Sequence, residues 1–230
     1  MFNILDLLII FSILFGAVLG FSRGFIKQGV MTIGLVVIIV LSYILKNPVS
    51  LYMYEHMPFF SFDMVVKNST VLNILVYELI AFFLVLSVLE LLFVIILRIS
   101  SILDSLIKIT KILEIPSRVL GAIFGAVEFY LIAFIVLFSL SFPTFNFHSR
   151  LYNESTIRPI ILSKTLFVSN ATEKTLDTFD EINKLIKQKD DMPVKDFDCK
   201  ALKIMKEKEF ITKDAYKYLY RTGKIRVTCD

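Results

Sequence analysis

The sequence contains no tryptophan, two cysteines and two histidines among its 230 residues. Two cysteines cannot form a thiolate metal cage without other ligands, and His56 and His148 have no ligand-like spacing. A phosphate-binding glycine loop, a G-x-S-x-G elbow and a paired metal-ligand motif are also missing. These absences exclude the common soluble enzyme classes, and we expect a non-enzymatic chain without a metal or cofactor.

Charge is scarce in the first part of the chain. Eight of the 25 Lys and Arg and eight of the 21 Asp and Glu precede Phe145, so the net charge of +4 lies in the residues that follow. That surplus is dispersed among acidic residues. Nucleic-acid binding needs a basic stripe or patch, so we expect no nucleic-acid partner.

Apolar residues are abundant instead. They make up 56% of the chain, and the mean hydropathy is +0.73, whereas a soluble domain is about 45–50% apolar. Runs of ~17 or more apolar residues are long enough to cross a bilayer, and they occur at about 4–21, 29–45, 71–97 and 119–142. We predict an all-α integral membrane four-helix bundle over 1–143, followed by a polar, mainly helical extension over 144–230.

The loop between the third and fourth segments carries its own helical pattern. Apolar residues recur at spacings of four, three and four at Ile102, Leu106, Ile109 and Leu113. This stripe predicts an amphipathic helix over about 100–115, ended by Pro116 and lying in the membrane interface; a packed connector is the alternative. The loop over 47–70 is rich in Tyr and Phe, which favours an interfacial hairpin.

The polar extension has shorter apolar patterns. They predict helices over about 172–189, 197–208 and 213–222, with Gly223 as a C-cap, and a short strand over 225–228. Apolar residues are too few here for a large separate core, so we expect this tail to pack on the membrane domain or on a partner, or to be partly mobile.

The positive-inside rule predicts the orientation. The first and third loops are the richer in basic residues: Arg23 and Lys27 in the first, Arg98, Lys108, Lys111 and Arg118 in the third. The longer second loop has only Lys46 and Lys67. The first and third loops are therefore expected in the cytoplasm and both termini outside.

Two series of glycines have four-residue spacing. Gly16, Gly20 and Gly24 share one face of the first segment, and Gly121 and Gly125 repeat the spacing at the start of the fourth. Helix backbones approach closely at such faces. We therefore predict a tight helix crossing, within one chain or between protomers of a homo-oligomer.

Two carboxylates are predicted near the middle of the membrane. Glu90 lies eight residues before Arg98, and Glu128 lies ten after Arg118, which places both ~12–15 Å from the cytoplasmic edge. Ionisable residues at that depth are candidates for a proton or cation site, and two neutral, hydrogen-bonded side chains are the alternative. No Lys or Arg shares their depth, and the outer surface is expected to hold Asp6 and Glu78.

The two cysteines, Cys199 and Cys229, both lie in the tail. In an oxidising compartment outside the cytoplasm they can form a disulfide, whereas inside the cytoplasm two free thiols are expected.

Two stretches resemble the colicin V production protein family. The run Gly16-Ala17-Val18-Leu19-Gly20-Phe21-Ser22-Arg23-Gly24-Phe25, with Asp6 before it, looks like the family's N-terminal signature, and Ser117-Arg118-Val119-Leu120-Gly121-Ala122-Ile123-Phe124-Gly125 looks like its fourth-helix motif. Glu154-Ser155 through Pro159 also looks like the segment after the last helix. The resemblance covers about 1–160. The family-motif positions are Asp6, Gly16, Gly20, Arg23, Gly24, Arg118, Gly121 and Gly125.

The chain departs from the family pattern at Glu128 and Phe129, where members tend to carry a small or basic residue and a glycine. The resemblance implies a bacterial inner-membrane protein linked to colicin V toxin production or export. We expect an accessory or scaffold role in secretion and envelope processes, with the bilayer and an envelope or secretion protein as partners. A small channel or proton-coupled transporter that uses Glu90 and Glu128 is the alternative.

Overall fold

The computed structural model describes residues 3–60, 66, 69–99, 114–143, 150–164, 169–188 and 192–225. Within these ranges every regular element is a helix, which agrees with the predicted all-α class. Four helices in the described residues are long and apolar enough to cross a membrane, by length and composition. They are α1 (Ile4–Arg23), α2 (Phe25–His56), α3 (Thr70–Ile99) and α4 (Glu114–Leu140).

Helix α1 has a defined start and end. The Asn3 side chain accepts a hydrogen bond from the Asp6 amide at 3.0 Å, and the Asp6 carboxylate accepts one from the Asn3 amide at 3.1 Å, so the two residues form a capping box. The helix ends at Gly24, whose φ of 78° is a conformation that glycine adopts without strain. Since α2 begins at Phe25, this single residue replaces the predicted first loop.

Helix α2 is longer than predicted. It contains Pro48 and continues to His56, so the first part of the expected interfacial hairpin is helical. The Lys224 ammonium donates to the carbonyls of Tyr54, Glu55 and Met57, which otherwise lack partners at a helix C-terminus. The lysine thereby caps α2.

The start of α4 also differs from prediction. Pro116 lies in the first turn of this helix, where the missing backbone N–H removes no intrahelical hydrogen bond. The expectation that Pro116 ends a preceding helix stays a prediction. The interfacial helix predicted over about 100–115 falls almost entirely on residues 100–113, which lie outside the described residues.

The tail is mainly helical. Two short helices, α5 (Arg150–Asn153) and α6 (Ile157–Lys164), precede α7 (Ser169–Lys187), α8 (Val194–Glu207) and α9 (Lys213–Arg221). The last three agree with the predicted helices within three residues at each end. Gly223 follows α9 with a φ of 69°, as expected for the residue after a C-cap. Most of the strand predicted over 225–228 lies outside the described residues.

The chain forms two compact units whose boundaries differ from the predicted ranges 1–143 and 144–230. Unit 1 takes Met1–Ile44, Leu84–Leu137 and His148–Thr165, and unit 2 takes Leu45–Phe83, Phe138–Phe147 and Leu166–Asp230. Helices α2, α3 and α4 each contribute to both units. The tail helices α7 to α9 therefore belong with the C-terminal part of α2 and the N-terminal part of α3.

Unit 2 has a substantial apolar core. The side chains of Phe179 and Ile182 from α7 and Leu202 from α8 are at most 2% exposed, and they pack in one cluster with Tyr54 of α2 and Leu72 of α3. The tail alone has few apolar residues, as predicted, and this shared core is how it buries them.

Candidate functional site

Within unit 1, the two predicted mid-membrane carboxylates line one cavity. Its volume is about 300 Å³, and Glu90 and Glu128 are its two acidic lining residues. The other walls are apolar: Met31, Leu35 and Ile38 from α2, Leu86, Phe93 and Val94 from α3, and Ile132, Ile135 and Val136 from α4. The sequence prediction that Glu90 and Glu128 come together is consistent with this geometry.

Glu128 has a polar partner that the sequence reasoning missed. The buried Gln28 amide donates a hydrogen bond to the Glu128 carboxylate. Arg23 in turn donates from Nη1 to the Gln28 side-chain oxygen at 3.3 Å. Gln28 thus links Glu128 to the arginine at the end of α1, and the expectation that no Lys or Arg shares the membrane depth of Glu128 stays a prediction.

A second polar side chain supports this arrangement. The Thr32 hydroxyl lies 3.0 Å from the Gln28 carbonyl and 3.1 Å from the Phe124 carbonyl, and Thr32 is 3% exposed. It is positioned to bond either oxygen, and it joins α2 to α4 one turn beyond Gln28. Gln28 and Thr32 are polar residues one helical turn apart in an apolar segment, and this spacing is the sequence signal that could have indicated the contact.

Glu90 differs from Glu128 in its surroundings. Its side chain is exposed on the surface of the chain, and no described residue donates a hydrogen bond to it or forms an ion pair with it. The two carboxylates therefore share a cavity but not a set of partners.

The glycine series form an intrachain crossing of α1 and α4. A Cβ added at Gly20 would overlap the Gly121 carbonyl oxygen, and one added at Gly125 would overlap the Gly16 carbonyl oxygen. Gly24 also lies at this crossing, since a Cβ on Gly121 would be 2.8 Å from its carbonyl carbon. Of the two predicted alternatives, this face packs within one chain, so a homo-oligomer needs another surface.

The family-motif acid Asp6 holds the segment after α4 in place. It is fully buried and accepts hydrogen bonds from the Ser155 hydroxyl and from the amides of Thr156, at 3.2 Å, and Ile157, at 3.1 Å. These amides begin α6, so Asp6 serves as a cap for a helix about 150 residues away in the sequence. The expectation that Asp6 lies at the outer membrane surface concerns depth in the bilayer and stays a prediction.

Arg158, beside this cap, stacks on the Tyr152 ring at 4.3 Å. The remaining family-motif residue, Arg118, is exposed in the second turn of α4.

Unit 2 contains a buried ion pair that the sequence reasoning also missed. Lys46 of α2 pairs with Glu78 of α3, and the Tyr54 hydroxyl donates to the other Glu78 oxygen at 2.7 Å. Lys46 is 8% and Glu78 is 3% exposed. The expectation that Glu78 lies at the outer membrane surface likewise stays a prediction.

Asp198 of α8 is a second long-range cap. It accepts hydrogen bonds from the Ser69 hydroxyl at 2.6 Å and from the Thr70 amide at 3.0 Å, where α3 begins. Burial raises the pKa of Asp198, and the hydrogen bonds from Ser69 and Thr70 offset part of that rise. The carboxylate thus ties the tail to the start of a predicted span within unit 2.

The structure describes one of the two cysteines. Cys199 is disulfide-bonded, and Cys229 lies outside the described residues, so the predicted pairing stays a prediction. Among the described residues there is no group of three or more His, Cys, Asp or Glu placed to hold a metal ion. The expected lack of a metal or cofactor is likewise still a prediction.

One comparison with known proteins finds a match. A family model described as Colicin V production protein matches residues 5–166, which covers α1 to α6 and confirms the resemblance found in the sequence. No curated protein and no solved structure matches the chain.

Proposed function

Because the chain belongs to the colicin V production protein family, we propose that it acts as a non-enzymatic accessory or scaffold protein of the bacterial inner membrane. Its role would lie in toxin production and secretion and in envelope processes. The observation that carries this proposal is the family match over residues 5–166, which includes the glycine crossing and the Asp6 cap.

The uses of the buried polar groups support a scaffold. Asp6 and Asp198 cap helices that start far away in the sequence, and Glu78 neutralises Lys46. Buried polar groups that are fully hydrogen-bonded rigidify a structure. These contacts hold helices and the following segments in place, which is the role expected of a scaffold.

The proposed setting follows from the loop charges. The bilayer is the first partner, and both termini are placed on the periplasmic side by the positive-inside rule. An envelope or secretion protein is the second proposed partner. A homo-oligomer would use a surface other than the glycine face, because that face already packs between α1 and α4.

Complementation of a deletion tests the scaffold role. In a colicin V producer that lacks its own family member, this chain should restore the inhibition zone on a sensitive lawn. The double variant Glu90→Gln/Glu128→Gln should restore it equally, since a scaffold does not need those charges. No zone from wild-type chain that is present in the membrane at normal levels would contradict the proposal.

The cavity favours a second candidate, a small channel or proton-coupled transporter. Its specific support is the pair of carboxylates, Glu90 and Glu128, in one cavity of a predicted membrane region. Proteoliposomes with an internal pH dye and an imposed gradient separate the two functions. The scaffold proposal expects the same proton leak as empty liposomes. Faster flux that Glu90→Gln and Glu128→Gln abolish, with loss of the inhibition zone, would establish the transporter instead.

A further inference from the structure

The cavity in unit 1 has the composition of a small-molecule site. Pockets that bind organic ligands are apolar, begin at about 300 Å³ and carry a few polar groups that orient the ligand. This cavity has about that volume, and nine of its eleven lining residues are apolar.

The polar groups of the cavity carry an excess of negative charge. Glu128 is linked through Gln28 to Arg23, so that carboxylate has one distant counter-charge. Glu90 lines the same space and forms no hydrogen bond or ion pair with a described residue. One cationic group in the cavity would complete the pairing of two carboxylates with two positive charges.

The residues that line the cavity do not fit a bare metal ion. Ca²⁺ requires about six to eight oxygen ligands and Mg²⁺ an octahedral set, whereas the two carboxylates are the charged oxygen donors here and the other lining side chains carry no oxygen. A metal ion would fill little of this volume. The apolar surface needs an apolar body to cover it.

An aromatic ring is fixed at the cavity wall. Gly34 of α2 makes room for the Phe93 side chain, because a Cβ at that position would overlap the ring. Aromatic rings attract quaternary ammonium groups through cation–π interactions. Phe93 therefore adds a contact that suits an organic cation.

From these features we propose that the cavity between α2, α3 and α4 binds a monovalent organic cation with an apolar body, such as a hydrophobic amine or quaternary ammonium compound. The cationic group lies between Glu90 and Glu128, and the body contacts Phe93 and the aliphatic walls. This binding requires neither transport nor the scaffold role, so it stands or falls separately from the proposed function.

Equilibrium dialysis of radiolabelled benzyltrimethylammonium against the purified full chain in a non-ionic detergent tests the proposal. Binding should be saturable, and unlabelled probe should displace it. Neopentylbenzene, in which a carbon replaces the nitrogen, should not displace it at the same free concentration. Tetramethylammonium, which has the charge without the body, should bind more weakly.

Three variants locate the binding. Glu90→Gln and Glu128→Gln keep the side-chain shape and should each raise the Kd about tenfold or more, since each removes a charge within a few ångströms of the cation in a poorly screened site. Ile132→Trp should block binding by filling the cavity. Glu207→Gln, at an exposed position of α8, is the matched control and should leave the Kd unchanged.

Two results would overturn the inference. One is no saturable binding to chain that retains its wild-type helical content. The other is binding whose Kd is the same for wild type, Glu90→Gln, Glu128→Gln and Ile132→Trp, because such binding occurs elsewhere.

Discussion

At the scale of single residues, the buried carboxylates have different partners and therefore different consequences. Asp6 and Asp198 accept backbone and hydroxyl hydrogen bonds at helix starts, and Glu78 pairs with a lysine. Glu90, by contrast, is exposed on the surface of the chain and has no such partner among the described residues. Burial is favourable for a charge only when it is paired or hydrogen-bonded, so these contacts decide which acids are structural.

Asp198 should make stability pH-dependent. Its pKa in the folded chain is raised above the usual 3.8, chiefly by burial, so the folded chain binds this proton more tightly than the unfolded chain. The stability that it contributes is fully present below pH 3.8 and is lost as pH rises through the raised folded pKa. Thermal unfolding in detergent over a pH series measures this.

A pair of asparagine variants isolates the effect. Asp198→Asn cannot titrate, so the fall in stability just above pH 3.8 should flatten. Asp196→Asn, at an exposed position on the same helix, should keep the wild-type pH profile. Parallel profiles for wild type and Asp198→Asn would show that another group causes the dependence.

Removing one partner of the buried Lys46–Glu78 pair should cost more stability than replacing both partners. Glu78→Leu breaks the buried ion pair with Lys46 in unit 2 and should destabilise the chain by about 3–5 kcal/mol. The double variant Lys46→Met/Glu78→Leu should recover most of that loss, since it removes both buried charges of the pair; the Tyr54 hydroxyl still loses a partner, at about 1–3 kcal/mol. Chemical unfolding in mixed micelles measures the three free energies.

An exposed ion pair is the control for these Lys46 and Glu78 variants. Lys174, whose side chain is 59% exposed, lies 3.0 Å from Glu209, and exposed pairs add little to stability. Lys174→Met should leave unfolding unchanged. Equal losses in Glu78→Leu and in the double variant would contradict the expected coupling.

At the scale of helices, close packing of α1 on α4 depends on glycine. The atoms that a new side chain would meet at Gly20 are backbone atoms of Gly121 and Gly125, and backbone cannot turn aside as a flexible side chain can. The crossing therefore tolerates no added methyl group without separating the helices.

Gly20→Ala should destabilise unit 1 by about 1–3 kcal/mol, the usual cost of overpacking. Gly29→Ala is the matched control, because its added Cβ would meet its nearest atom, on the Phe124 ring, at 4.0 Å; alanine's higher helix propensity makes that variant neutral or slightly stabilising. Thermal unfolding of both variants in detergent compares them. Equal melting temperatures would contradict the crossing.

Helix boundaries were harder to predict than helix existence. The second apolar run was predicted to end at about residue 45, yet α2 continues through Pro48 to His56. The fourth was predicted to begin at about residue 119, yet α4 already includes Glu114. Hydropathy marks where apolar residues stop, whereas a helix continues as long as its backbone and caps are satisfied. Lys224 provides such a cap for α2 from a residue about 170 positions away.

At the scale of the whole chain, the predicted orientation places the tail outside the cytoplasm. In intact cells, a membrane-impermeant maleimide should then label the tail cysteines after treatment with an impermeant reductant and much less before it, because Cys199 is disulfide-bonded. The variant Cys199→Ser/Cys229→Ser is the control and should not be labelled. Labelling that requires permeabilised cells would place the tail in the cytoplasm.

The sequence by itself determined the four apolar helices, the mainly helical tail and the glycine faces, because hydropathy, helical periodicity and residue size act locally or at fixed spacing. Only the tertiary structure decided which polar residues meet. Gln28 joins Arg23 to Glu128, Lys46 reaches Glu78, and Asp6 reaches Ser155. These partners lie up to about 150 residues apart in the sequence. A local sequence pattern does not indicate contacts between residues so far apart, because such contacts depend on how the helices pack.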